Sequence, residues 1–211
     1  MSTDPRFLRE QRQLHRLETL TDSVYALAIV IILFWLPSPD QGIENHAGLF
    51  DFLVANRADL LSCLIGIVVV VIYWLRSNHL MGHLVRTDNG HTAITILQVF
   101  FLLLYLYVIR IGVEAPEIGT LAEQSVCVAL IGFTGAGSWW YACRHRKLLD
   151  ESAGVQTQRD VQVEVLSEPI TALITLPLAF VNALAWELGW LAYPVISWIL
   201  KRRKLPEETS S

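Results

Sequence analysis

Residues 16–33 read Arg-Leu-Glu-Thr-Leu-Thr-Asp-Ser-Val-Tyr-Ala-Leu-Ala-Ile-Val-Ile-Ile-Leu, three charges giving way to an uninterrupted apolar run. An acid, Asp22, opens that run between Thr21 and Ser23. The plainer reading is a helix start, with Thr21 or Asp22 as the N-cap and negative charge favourable near the N-terminus. The functional reading is that a carboxylate at the edge of hydrocarbon needs a partner, and such residues often mark ion pathways. Both readings make this segment the first crossing of a membrane. The basic stretch before it resembles a secretory leader, but the run ends at Pro37-Ser38-Pro39-Asp40 rather than at small residues suited to cleavage.

Five further apolar runs follow, so that six lie at about 20–36, 60–75, 92–113, 121–142, 169–184 and 186–200. A span of the hydrocarbon core needs about 20 residues, within a range of about 17–25. The third and fourth runs meet that length, and the first two reach it through tolerable flanks. The last two are divided only by Ala185-Trp186-Glu187-Leu188-Gly189 and interrupted by Pro177 and Pro194. A re-entrant hairpin or two short tilted helices would fit them nearly as well. Charge decides between these. Fourteen of the sixteen Lys and Arg fall before the first run, in alternate connections, or after the sixth, leaving only Arg57 and Arg110 on the other side. The positive-inside rule then predicts six crossings with both termini in the cytoplasm.

Composition agrees. The 211 residues are 53% hydrophobic and 17% charged, below the roughly 25% charged of soluble domains. Trp35, Tyr73-Trp74, Trp139-Trp140-Tyr141, Trp186, Trp190 and Trp198 lie near span ends, as interfacial belts do. Cys63, Cys127 and Cys143 form no paired motif and read as small packing residues. The predicted organisation is a cytoplasmic segment 1–19, a six-span domain 20–200 with a cytoplasmic connection 144–167 that has room for an amphipathic helix, and a basic tail 201–211.

Other clusters offer little chemistry. His79, His83, Arg86 and His91 have no Cys or well-placed carboxylate beside them, and an interfacial role outweighs a metal-ligand role. Gly132, Gly135 and Gly137 sit inside an apolar run, where small residues allow close helix packing. Arg110 and Glu114 are spaced as a helical pair, and Gln98 and Asn182 are candidates for bonds between helices. Without a Ser/His/Asp set, paired catalytic carboxylates or a zinc-protease motif, the sequence reads as no enzyme, with no cofactor and no nucleic-acid partner.

The block Arg16, three residues, Leu20-Thr21-Asp22, then Tyr25-Ala26-Leu27-Ala28-Ile29 resembles the signature that opens the first span of the transmembrane-protein-175 potassium channels. Leu20 stands for the family's Phe and Thr21 for its Ser. The patch from Trp74 to His79 is similar to the family's Trp…His region at the end of the second span. The resemblance implies an all-α membrane protein in which one six-span repeat makes a subunit and four make the channel, in the inner membrane. It also implies a first helix lining the pore, with apolar side chains in place of a carbonyl filter and monovalent cations, K+ above all, as permeant ions. Carried over by position, the lining residues are Leu27, Ile31 and Phe34, and their spacing of four then three puts them on one helical face. Val30 stands where the family often carries a Thr linked to selectivity. Arg16, Asp22, Trp74 and His79 are expected at the cytoplasmic boundary, with Asp22 held by His79 or Trp74. The alternatives of another class are a small secondary transporter or proton-coupled permease, for which only Pro177 and Pro194 speak, and an accessory membrane protein without conduction.

Overall fold

The computed structural model describes residues 4–36, 48–114, 118–150 and 153–203, and everything below concerns these. They form eight α-helices: α1 Pro5–Leu33, α2 Leu49–Ala55, α3 Arg57–Met81, α4 Asn89–Glu114, α5 Ile118–Arg144, α6 Val155–Ala179, α7 Ala183–Gly189 and α8 Ala192–Arg203. Extended structure among them is limited to one isolated antiparallel bridge between Leu84 and Leu149. Five segments are long and apolar enough to cross a membrane: Cys63–Met81, Asn89–Gly112, Gly119–Arg144, Val155–Ala179 and Ala183–Arg202. With the apolar half of α1 these overlap the six expected runs, the fifth running over Val155–Ala179 where 169–184 was expected. The chain is an all-α membrane protein.

Helix α1 corrects the expected helix start. Thr21 and Asp22 lie in mid-helix; the cap is Asp4, whose carboxylate accepts from the Arg6 backbone N–H at 2.9 Å, with Pro5 in the first turn. Its 29 residues give a rod of about 44 Å, longer than the ~30 Å hydrocarbon thickness. The charged half therefore continues the helix beyond the membrane, across the boundary expected at 19/20. Likewise the connection expected at 144–167 is largely the first half of α6. The last crossing is broken: α7 ends at Gly189 and α8 starts at Ala192, with Pro194 in its first turn. The Pro37–Asp40 turn lies outside the described residues.

Two cores explain the long helices. One, within the apolar layer, joins Tyr25, Ala28 and Ile32 of α1 to Val70 and Tyr73 of α3, Leu102 and Ile109 of α4 and Ile131 of α5. The second lies at the basic end and holds Leu14, Leu80, Leu84, Trp139, Leu148, Val161 and Val165. Here the loops after α3 and α5 pair, the Val85 N–H donating to the Leu148 carbonyl at 3.0 Å and the Asp150 N–H to that of His83 at 2.9 Å. The N-terminal half of α1 joins them through the Thr87 N–H on the Glu10 carbonyl at 3.3 Å and an Arg86–Glu10 ion pair at 3.1 Å.

Helix α5 packs along both α4 and α6, while α1 packs chiefly on α3 and α4. The α5–α6 approach depends on Gly132, where a Cβ would come within 2.6 Å of the Pro169 ring. Trp139 departs from the expected interfacial belt: it is buried, and its ring N–H donates to the Gln158 carbonyl at 3.1 Å. Asn182, expected to bond between helices, instead caps α7 by accepting from the Ala185 N–H at 2.7 Å. Glu114, the expected partner of Arg110, has its side chain outside the described set.

Candidate functional site

Helix α1 has two faces of opposite fate. Leu14, Leu17, Thr21, Tyr25, Ala28 and Ile32, separated by three or four residues, are buried against the chain's own bundle. The other face is apolar and left open: Leu27 is 56% exposed, Ile31 45%, Phe34 82% and Val30 48%. The structure thus brings Leu27, Ile31 and Phe34 to one uncovered stripe, with Val30 on its flank. Contiguous exposed aliphatic surface of this kind marks contact with lipid, with another copy, or with a pathway.

The motif residues fasten α1 to α3. The Trp74 ring N–H donates to the Asp22 carboxylate at 2.8 Å. Thr21 is buried, donating to the Leu17 and Glu18 carbonyls at 3.0 and 2.9 Å, with the Met81 sulfur 4.0 Å away. Ser23 donates back to the Thr19 carbonyl at 2.7 Å. These hydroxyls satisfy themselves within the helix, so a slim residue can sit at a close helix contact without an orphaned polar group. His79 is not brought to Asp22; it meets His83 edge-on at 5.0 Å. Arg16 is exposed. Because the Trp74–Asp22 bond is charge-assisted, Asp22→Ala should loosen the α1–α3 contact by about 1 kcal/mol, while Asp22→Asn keeps an acceptor. Thermal unfolding of both variants in detergent, with K+ flux in liposomes, checks this. A normally assembled and conducting Asp22→Ala protein removes the role assigned to the bond.

One group was not anticipated in the sequence, and another gives His91 a buried place instead of the interfacial one expected. Glu168 of α6 accepts from the Tyr73 hydroxyl and pairs with Arg76, both of α3, and Arg76 also donates to the Glu164 carbonyl. These side chains are largely buried, at 12% exposure for Arg76 and 16% for Glu168. The one local signal was an acid, Glu168, placed directly before Pro169 at the head of the fifth apolar run. The second group surrounds His91, buried at the start of α4, whose ring nitrogens bond Thr87 Oγ1 and Ser138 Oγ, each at 2.9 Å. Nearby Asp88 accepts from the His91 backbone N–H at 2.9 Å and from the Tyr141 hydroxyl at 3.1 Å. Both groups tie helices together. No set of three or more His, Cys, Asp or Glu side chains able to hold a metal occurs among the described residues.

Comparison with known proteins places these features in context. Residues 16–105 match the family described as endosomal/lysosomal potassium channel TMEM175. A curated potassium channel of Chamaesiphon minutus is 25% identical over 81 residues, a stretch covering 38% of this chain and 40% of that channel. The crystal structure of a lysosomal potassium-selective channel TMEM175 homolog from the same organism superposes with a TM-score of 0.69 at 17% identity, over 92% of this chain and 98% of that one. A variant of the potassium channel MtTMEM175, bound to a nanobody fusion, gives a TM-score of 0.69 at 16% identity, over 89% and 92% of the two chains. The fold is therefore shared along nearly the whole chain, and the matched sequence runs from the middle of α1 through α2 and α3 into α4.

Proposed function

We propose that the chain is a member of the TMEM175 family, whose model matches residues 16–105, and that it is one subunit of a homotetrameric, potassium-permeable channel. The observation that carries the reading is the open apolar stripe of α1, Leu27, Ile31 and Phe34, on a helix whose opposite face is buried against its own chain. A helix with one face left open in this way is suited to face a symmetry axis. Four copies around such an axis would bring four Leu, four Ile and four Phe side chains together. A narrow apolar ring sheds water and blocks ions until it widens, a gate that needs no carbonyl filter. Val30, flanking the stripe, supplies no hydroxyl to ions, so selectivity in this channel rests on pore width more than on coordination.

The basic end, holding the start of α1 and the loops after α3 and α5, is assigned to the cytoplasm of a cell with the protein in its inner membrane. Purified protein in liposomes is expected to pass K+ down its gradient and to keep doing so when a protonophore collapses any proton gradient. Flux that stops on addition of the protonophore would overturn the channel in favour of a proton-coupled permease. Crosslinking should give four subunits, and a cysteine at position 27 should crosslink to its counterpart in a neighbouring copy.

A further inference from the structure

The face of α1 that carries Leu27 does not end at the membrane. Followed toward the N-terminus at helical spacing, it runs through Leu20 to Arg16, Arg12 and Arg9. These arginines form one wall of a groove of about 1150 Å³ whose opposite wall is the start of α4. All three are exposed, and among the described residues none of them makes an ion pair or hydrogen bond. The two carboxylates on the groove are already committed, Glu10 to Arg86 at 3.1 Å, and Asp88 to the His91 N–H at 2.9 Å and the Tyr141 hydroxyl at 3.1 Å. With Glu10 paired to Arg86, the groove sets three arginines against the single remaining charge of Asp88, and positive charge prevails.

Spacings of three and four residues set the arginines about 4.5 and 6 Å apart along the helix axis, close enough for one multiply charged ligand to engage all three. The guanidinium fork matches phosphate oxygens in geometry and loses less on desolvation than an ammonium. We propose that this groove binds a phosphate-bearing polyanion through Arg9, Arg12 and Arg16. The consequence for conduction rests on the channel reading: around a symmetry axis the arginines ring the mouth of the pore. Their charge acts on entering cations within the ~8 Å screening length of physiological salt, and a bound polyanion cancels it. The phosphate source is a soluble anion or an anionic lipid headgroup at the membrane boundary.

Equilibrium dialysis of radiolabelled tripolyphosphate against the full chain in phosphatidylcholine nanodiscs tests the site without reference to conduction. Saturable binding is expected that weakens with added KCl, falls at least about tenfold in R9Q/R12Q/R16Q, and falls by an intermediate amount in R9Q/R12Q. Repeating the measurement in nanodiscs containing phosphatidylinositol bisphosphate separates the sources: displaced tripolyphosphate assigns the groove to a lipid headgroup, retained binding to a soluble anion. Absence of saturable binding, or equal binding by the glutamine variants, overturns the proposal. So does a changed subunit number in R9Q/R12Q/R16Q, because the arginines would then be pairing with a neighbouring copy. A protein that binds tripolyphosphate yet passes no K+ refutes the channel reading and leaves the anion site standing.

Discussion

Glu168→Ala is expected to destabilise the fold strongly. It leaves the Arg76 guanidinium largely buried with its carboxylate removed and strips the Tyr73 hydroxyl of its acceptor. Breaking one side of a buried pair costs about 3–5 kcal/mol, because the remaining charge stays desolvated. Arg76 keeps the Glu164 carbonyl as a partner, which places the expected loss at the lower end of that range. Removing both members should be far milder: Arg76→Met with Glu168→Leu trades the ion pair for packing of similar volume. Thermal unfolding in detergent distinguishes the two cases. A double variant as unstable as Glu168→Ala would mean that the site needs charge for its own sake.

The second large effect belongs to the proposed gate. Ile31→Asn puts four amides where the reading has an apolar ring, so that water remains in the constriction and the barrier to ion entry drops. An increase of about tenfold in K+ flux, equivalent to about 1.4 kcal/mol of barrier, is expected in liposomes. Ile32→Asn, one residue along and fully buried against the bundle, should unfold the protein or leave it silent. That contrast is the useful readout: if Ile31→Asn passes K+ no faster than the unaltered protein, the open stripe faces lipid.

Much of this architecture is legible in the chain because a bilayer leaves few options. Apolar runs of sufficient length fix the crossings, and the placement of Lys and Arg secures the last of them where Pro177 and Pro194 obscure it. The α1 stripe is equally visible, since helical spacing separates Leu27, Ile31 and Phe34 from Tyr25, Ala28 and Ile32. Helix extensions are harder to read. Residues 5–19 look like a solvated charged segment because only Leu14 and Leu17 are buried there. In α6 the buried set Val161, Val163, Val165 and Ser167 alternates; a helix packed on several sides loses the helical period that would announce it. The Arg76–Glu168 pair joins residues 92 apart in sequence, and no local pattern encodes which distant carboxylate an arginine will meet. Of the two partners expected for Asp22, Trp74 holds it and His79 packs on His83 instead.

Helix α1 passes from the charged groove to the apolar stripe as one element, with neither Gly nor Pro between Arg6 and Phe34. Such a rod has no hinge to absorb a twist. On the channel reading, rotation of its lower end reaches the upper end at full angle, and because Leu27 and Ile31 sit off the axis, that angle would change the width of the opening proposed between them. The upper half is held along Tyr25, Ala28 and Ile32 and by the Trp74–Asp22 bond, and the lower half by Leu14, Leu17 and the Arg86–Glu10 pair, so any turn carries the packed face with it. A ligand small enough to touch only three arginines would then have mechanical purchase on residues about three to six helical turns away.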